Sequence, residues 1–281
     1  PAEISVPVAI ISIQDGALDI DLPDQRHKRG RMSSVDPDIC CRLHTSGSCS
    51  GVGAAVSIAW SGVHNRFQWM WESYPFLPDD RMIWTTPLSF IDSLWQVYGA
   101  ILYQVPLVII PPDRVANISD LSGVLLDHLV THLVSIPSVL RALLQLHWRH
   151  DQHALPPIRF MVLSAEPLDN LLAMALRHLY PSAHLLNLYG CTEASGDSTY
   201  FQWSSQSLVP PHIIDDIQSL RPYCQWDVVS SNICPIGYPI PGNIVSLTAE
   251  GELIINSVQV ASRRPHPTGD IVHRDAQGRL I

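Results

Sequence analysis

The chain has 281 residues, 46% of them hydrophobic and 15% charged, which is enough to bury a core and too apolar for a disordered chain. Seventeen basic against 26 acidic side chains give a net charge of −9, which excludes a nucleic-acid surface built on net basic charge. Lys28 is the sole lysine, so chemistry that needs an ammonium from this chain must use Lys28 or go without. Six scattered cysteines with no C-x-x-C pair read as free thiols of a reducing compartment. No apolar run reaches the roughly 18 to 20 residues of a membrane span. The opening Pro1-Ala2-Glu3-Ile4 has no basic leader, so the expected location is cytoplasmic. Asn117-Ile118-Ser119 is a formal glycosylation sequon, to which a chain without a secretory leader gives no role.

Residues 1–43 alternate short apolar runs with a polar loop over 21–37. From Val105 the pattern is regular. Val105–Ile110, closed by Pro111-Pro112, reads as a buried parallel strand. A helix follows over Ser119–Val130, with Ser119 as its N-cap. Thr131–Ile136 is a second strand, stopped by Pro137, and Ser138–Trp148 a helix with Val139, Leu140, Leu143 and Leu144 on one face. Ile158–Leu163 is a strand, Leu168–Leu179 a helix, and His184–Leu188 a strand. This alternation predicts βαβ units and a mostly parallel sheet layered with helices. After residue 232, Asn243–Leu247 and Glu252–Asn256 around a Thr-Ala-Glu-Gly turn predict a hairpin in a small β-rich subdomain. The expected α/β organisation is a leading segment over 1–35, a core over 36–231 and the β-rich subdomain over 232–281.

In open α/β sheets, ligands bind at the carboxyl ends of strands. Two stretches there carry suitable groups. His44-Thr-Ser-Gly-Ser-Cys-Ser-Gly-Val-Gly53 bares backbone N–H groups and hydroxyls, as phosphate-cradling loops do. Asn187-Leu-Tyr-Gly-Cys-Thr-Glu-Ala-Ser-Gly-Asp197 sets an aromatic ring, a hydroxyl and a carboxylate at the end of the fourth strand. Other readings compete. Gly47-Ser-Cys-Ser-Gly51 fits a nucleophile elbow with Cys49 as the nucleophile of an α/β-hydrolase. His147, His150, His153 and Asp151 have zinc-like chemistry, but histidines at a helix end are accounted for by dipole compensation. Asp215-Asp216 reads as a solvated loop, and Trp69, Trp71, Trp84 and Trp95 as aromatic packing.

Taken in order, these motifs resemble the large N-terminal domain of the adenylate-forming superfamily, which includes acyl-CoA synthetases and the adenylation domains of nonribosomal peptide synthetases. The resemblance runs from about Asp36 to Ile281. It is carried by Thr45-Ser-Gly-Ser48, Asn65–Met70, Thr86–Trp95, Leu163-Ser-Ala-Glu-Pro-Leu168, Asn187–Glu193, Ile236–Ile240, Gly251–Ile255 and Thr268-Gly-Asp270. It implies attack of a carboxylate on the α-phosphorus of ATP. The products are an acyl-adenylate and pyrophosphate, and the acyl group then passes to CoA or to a carrier protein's phosphopantetheine thiol. By the same resemblance Thr45, Ser46, Gly47 and Ser48 hold the outer phosphates. Ala165, Glu166, Asn187 and Gly190 belong to the nucleotide pocket, and Tyr189 stacks on adenine. Thr192 contacts the α-phosphate, Glu193 holds Mg²⁺, and Asp270 accepts from the ribose hydroxyls.

The acid pocket follows by the same resemblance, on Ile91, Asp92, Trp95, Val162, Ser164, Leu188, Gly196 and Asp197. In relatives that activate α-amino acids, an Asp occupies the position of Ile91 and binds the substrate ammonium. Here the carboxylate stands one place later, at Asp92, with Asp197 at the far end. That pattern resembles β-alanine-activating domains, because an ammonium one carbon further out needs its counter-ion displaced. The competing account gives Asp92 a local hydrogen bond and the enzyme an ordinary carboxylic or fatty acid.

The sequence also departs from the family pattern. Gly53 stands where the phosphate loop usually has Lys, and Ala165 where the adenine turn usually has Gly. The C-terminal lid domain, which carries a second lysine, is expected to be missing. Lys28 matches neither lysine. These departures define an alternative reading: a nucleotide-binding remnant that keeps the fold with impaired catalysis.

Overall fold

A computed structural model describes residues 10–14, 17–21, 38–44, 55–149, 155–203, 233–257 and 264–281. The chain divides into two units, residues 1–37 and 38–281. In the first, β1 (Ile10–Gln14) and β2 (Ala17–Asp21) form an antiparallel hairpin.

The second unit begins with β3 (Ile39–His44) and β4 (Ala55–Ala59), paired antiparallel, with α1 (Trp60–Ser73) directly after β4. Next come β5 (Met82–Trp84), α2 (Asp92–Leu94), a π-turn over Trp95–Gly99, α3 (Ala100–Leu102) and β6 (Leu107–Ile109). The regular stretch follows: α4 (Pro112–Ala116), α5 (Ile118–Asp127), β7 (His132–Ser135), α6 (Pro137–Arg149), β8 (Phe160–Leu163), α7 (Asn170–Leu179) and β9 (His184–Cys191). A 3₁₀ turn (Thr192–Ala194) leads into β10 (Gly196–Trp203), and β11 (Tyr238–Pro239) lies beyond. The expected strands and helices of 105–190 are all present, with ends shifted by a few residues. One cap differs from expectation. Asn117, not Ser119, caps α5, its Oδ1 accepting from the N–H groups of Ser119 and Asp120. Pro111-Pro112 ends β6 but also starts α4, so the helical chain begins earlier than the apolar periodicity suggests.

The large sheet has the order β11-β10-β9-β8-β7-β5-β6. Its strands from β6 to β9 are parallel, and β10 and β11 are antiparallel additions. Strands alternate side chains between faces. Leu133, Met161 and Leu185 pack with α5, α6 and α7 on one side. Val134, Val162 and Leu186, one residue on, pack with α1 and Trp95 on the other. Burial on both faces explains why these strands are continuously apolar. The chain leaves β5 for β6 on one flank, then returns to β7 on the other. That reversal opens a crevice at the carboxyl ends of the strands.

Two polar clusters lock this sheet. Asp80 is buried just before β5; it accepts from Leu77 N at 2.6 Å, Thr131 Oγ1 at 2.9 Å and Arg159 Nε at 3.0 Å, and pairs with Arg159 Nη2. It thereby ties the starts of β5, β7 and β8 together. At the opposite ends, buried Gln96 accepts from Thr85 N and Thr86 N and donates to Thr85 Oγ1 and Val134 O. This fixes the α2 region over the carboxyl ends of β5 and β7. The C-terminal β12 (Asn243–Leu247), β13 (Glu252–Ser257) and β14 (His266–Ile271) form an antiparallel sheet, which contains the expected hairpin.

Candidate active site

Three elements meet at one cavity. Helix α1 buries Val63, Arg66, Phe67 and Met70, one helical face in which an arginine sits among apolar residues. Val63, Arg66 and Phe67 line the cavity together with Ile91, Asp92, Leu94 and Trp95 from the α2 region and Ser195, Gly196 and Asp197 from the start of β10. The cavity is narrow, about 270 Å³ with its open mouth included. Backbone shape decides who can stand here. Gly196 has φ +99°, and a Cβ there would lie 3.1 Å from Ile91 Cγ1. A Cβ on Gly190 would lie 2.0 Å from Gly196 O, so the β9–β10 crossing requires glycine.

The two acidic residues of the cavity differ. Asp197 is buried and paired: Arg66 Nε and Nη2 donate to its Oδ2 at 2.9 and 2.7 Å. Arg66 also lies over the rings of Trp69 and Trp95, 5.1 and 5.7 Å from their centroids. Its Nη1 is buried and has no hydrogen-bond partner among the described residues. Asp92 has no cation of its own among the described residues; Ser164 Oγ donates to its Oδ2 at 2.5 Å. Desolvation, with the Asp197 charge adding to it, raises the Asp92 carboxyl to about 7; the Ser164 hydrogen bond and Arg66 oppose the rise only in part. Near neutral pH this carboxyl is poised between its two states, and a cation entering the cavity would hold it ionised.

The structure thus brings Ile91, Asp92, Trp95, Gly196 and Asp197 to one cavity and hangs Ser164 on Asp92. Val162 and Leu188 lie in the core cluster beneath, both essentially inaccessible. Sequence reasoning missed Val63, Arg66 and Phe67. The available signal was an arginine at helical spacing with Val63 and Met70, a buried cation that must have an anion partner. Trp71 and Trp95 do form an aromatic cluster with Phe67, Phe76 and Tyr103, while Trp69 packs against Tyr74 and Tyr200. Trp84 instead donates Nε1 to Thr86 O.

The second group of residues lies at the ends of β8 and β9. Ala165 has φ +64°, a left-handed conformation that a residue with Cβ adopts at a cost. Glu166 accepts from Ser138 N and Ser138 Oγ at the start of α6. Asn187 is buried and donates to Pro235 O at 2.8 Å. Half-buried Tyr189 donates its hydroxyl to Asp270 Oδ2 at 2.5 Å, across from β9 to β14. Burial, and then that bond to a carboxylate, raise the Tyr189 phenol well above its usual range. Thr192 and Glu193 open the 3₁₀ turn, both half-buried. Donor atoms of Cys191, Glu193 and His266 all lie within 4.8 Å of one another. Burial raises the Cys191 thiol to about 11, with the Glu193 charge contributing.

Thr45, Ser46, Gly47, Ser48, Cys49, Gly53, Lys28, His150, Asp151, His153, Asp215 and Asp216 lie outside the described residues. The flanks of the serine-rich loop are nonetheless informative. A nucleophile elbow joins a strand to a helix. Here the loop joins β3 to β4, two strands paired antiparallel from Ile39↔Ala59 to His44↔Ala55. That geometry removes the context the Cys49 hydrolase reading required. No helix among the described residues is long and apolar enough to cross a membrane.

A mostly parallel sheet with a crevice at its carboxyl ends, a tyrosine–aspartate pair and a small cavity lined by Asp92 and Asp197 fits the architecture the motif resemblance implies. The sequence profile of the AMP-binding enzyme matches residues 4–263, and the chain belongs to that family. It is 27% identical over 212 residues to the beta-alanyl-bioamine nonribosomal peptide synthetase ebony of Drosophila melanogaster, covering 73% of this chain and 22% of that protein. It is 27% identical over 288 residues to an L-proline--[L-prolyl-carrier protein] ligase of Streptomyces coelicolor, covering 92% and 50%. Among solved structures, the Vibrio cholerae adenylation domain AlmE, in complex with glycyl-adenosine-5'-phosphate, superposes with a TM-score of 0.66 at 20% identity, covering 88% of this chain and 48% of that one. The chain spans half or less of the length of these proteins.

Proposed function

We propose that this chain forms the acid- and nucleotide-binding core of an ATP-dependent adenylation enzyme, and that its acid is β-alanine or a closely related β-amino acid. The observation that carries the substrate reading is Asp92: a desolvated carboxyl, held by one hydroxyl, facing a small cavity whose other acid is already neutralised by Arg66. A single ammonium completes the charge balance. Ile91 fills the space where a counter-ion for an α-ammonium would stand, so the cation must reach one atom further. The name of the similar ebony synthetase, a beta-alanyl-bioamine synthetase, supports this choice.

The proposed course begins with the ammonium docking on Asp92, which places the substrate carboxylate toward the crevice. Attack of a carboxylate oxygen on the α-phosphorus of ATP forms the acyl–phosphate bond and expels pyrophosphate. Thr192 meets the α-phosphate, Asp270 and Tyr189 hold the ribose and adenine, and Thr45–Ser48 take the outer phosphates. The Asp270–Tyr189 hydrogen bond fits this assignment, because it fixes the ring and the carboxylate relative to each other before the nucleotide arrives. Glu193 fits Mg²⁺, which commonly takes one or two protein carboxylates and completes its shell with phosphate oxygens and water. The ion supplies neutralisation of the phosphate charge. A thiol, from CoA or from the phosphopantetheine of a carrier protein, then receives the acyl group and releases AMP.

The test is ATP–pyrophosphate exchange on the full chain, run with β-alanine, glycine, aromatic acids and fatty acids. Exchange that prefers β-alanine and disappears in Asp92→Asn is expected. Exchange with fatty or aromatic acids that is indifferent to Asp92→Asn refutes the substrate assignment. No exchange with any acid, beside retained binding of an acyl-adenylate mimic, identifies the remnant instead.

A further inference from the structure

We infer that Cys191, Glu193 and His266 form a site for a borderline-soft divalent cation such as Zn²⁺, distinct in donor set from the Mg²⁺ contact and sharing one carboxylate with it. The three residues come from different elements: the end of β9, the 3₁₀ turn and the start of β14. Their Sγ, carboxylate oxygen and imidazole nitrogen lie mutually within 4.8 Å. All three are half-buried, neither sealed in the core nor fully in solvent.

The donor chemistry chooses the ion. One thiolate, one imidazole and one carboxylate form a set that tetrahedral Zn²⁺ takes, with a water in the fourth position. Mg²⁺ makes no use of sulfur or imidazole, so the two donors beyond Glu193 have no part in the magnesium chemistry. Zn²⁺ binding expels the Cys191 thiol proton to solvent and forms the metal–sulfur bond. Cys191 packs against the small buried pair Ala194 and Ile255, as do Tyr189 and Val245.

A functional consequence rests on the Mg²⁺ reading proposed above. An ion held by Cys191 and His266 occupies Glu193, so Zn²⁺ excludes Mg²⁺ from that carboxylate and suppresses adenylation. Zinc release then restores it. The site acts as a brake set by available zinc.

The test uses Co²⁺ as a spectroscopic stand-in for Zn²⁺ on the full chain. One equivalent of Co²⁺ should give thiolate-to-metal absorption in the near ultraviolet and intense tetrahedral bands in the visible, displaced by Zn²⁺. Cys191→Ser should abolish the thiolate absorption. His266→Gln should weaken Co²⁺ and Zn²⁺ at least about tenfold, which is what loss of even an outer-shell partner costs. Circular dichroism of both variants establishes that they fold. The inference is overturned if the folded wild type gives no thiolate band, or if the band survives in Cys191→Ser and so belongs to another cysteine. Zinc inhibition of exchange, compared with each variant's own rate, should be relieved by Cys191→Ser. A zinc site that binds as expected without inhibiting would overturn the brake and the Glu193 assignment while leaving the donor set intact.

Discussion

Asp92→Asn should stabilise this protein while removing the proposed ammonium contact. The carboxyl is raised from the ordinary 3.8 to about 7, chiefly by desolvation and secondarily by Asp197. Below pH 4 the group is neutral in both folded and unfolded chains and carries no penalty. As pH rises toward 7 the unfolded chain ionises while the folded chain keeps its proton. Stability is therefore lost progressively across that window and stays lost above it. At ~1.4 kcal/mol per pH unit, the loss reaches about 4 kcal/mol as a ceiling, and about 2 kcal/mol once solvent entering the cavity is allowed for. Asparagine is neutral throughout, has nearly the same shape, and can still accept from Ser164 Oγ. Urea unfolding of both proteins at pH 4, 5, 6, 7 and 8 gives the comparison. The variant should come closest to the wild type at pH 4, exceed it increasingly up to about pH 7 and keep that margin at pH 8. A difference that is flat with pH, or a variant less stable at pH 8, refutes the reasoning. In the wild type alone, β-alanine should bind more tightly as pH rises through 7, because its ammonium selects the ionised carboxyl.

Other substitutions test the surrounding frame. Arg66→Met leaves Asp197 buried without its cation and should cost about 3–5 kcal/mol in denaturant unfolding, most of it recovered in Arg66→Met/Asp197→Leu. His132 is held neutral, lowered to about 4 mainly by burial against the opposing pull of Asp80. Its stabilising neutrality is present above the unfolded value of 6.5 and is lost as pH falls toward 4, so His132→Phe should flatten the acid side of the stability profile by up to about 3 kcal/mol. Ala165→Gly relieves a left-handed φ of +64° and should raise stability by ~0.5–1 kcal/mol, read from the urea midpoint.

The βαβ region was legible because strands buried on both faces are continuously apolar and because Pro137 and Asp169 stand where helices begin. The cavity that holds Asp92 and Asp197 was anticipated only through the family pattern. Nothing in the spacing of Asp92 and Asp197, 105 positions apart, brings them together. The partners that set its electrostatics left only a weak signal. Arg66 stands at helical spacing with Val63 and Met70, and its role shows only once α1 is known to bury that face. Cys191 and His266 meet only because β14 returns beside the end of β9, a tertiary closure with no local signature. Ala165 was legible as a departure, and its left-handed backbone supplies the physical reason glycine would serve there.

Asp80 and Asp92 show what separates a structural carboxylate from a working one. Asp80 is buried just before β5, and Asp92, half-buried, opens α2. Burial is the largest influence on each carboxyl and pushes it upward, yet at Asp80 the Arg159 bond, the Leu77 N–H, the neighbouring His132 and the Thr131 hydroxyl together outweigh it, and the group lies below the ordinary range. At Asp92 one serine hydroxyl and a guanidinium already committed to Asp197 do not outweigh it, and the group lies near 7. A fully satisfied acid stabilises the sheet and has nothing left to offer a ligand. An under-satisfied one costs stability at neutral pH, and the folded chain tolerates that cost only because the rest of the core is intact. The unmet valence is a positive charge about one side chain's reach from Trp95 and Ile91. Supplying it by mutation should therefore mimic the substrate: a Val63→Lys ammonium delivered into the cavity should depress the Asp92 carboxyl and block β-alanine-dependent exchange without unfolding the chain. A Val63→Met variant of similar bulk should leave the Asp92 pH profile in place, which separates occupation by charge from occupation by volume.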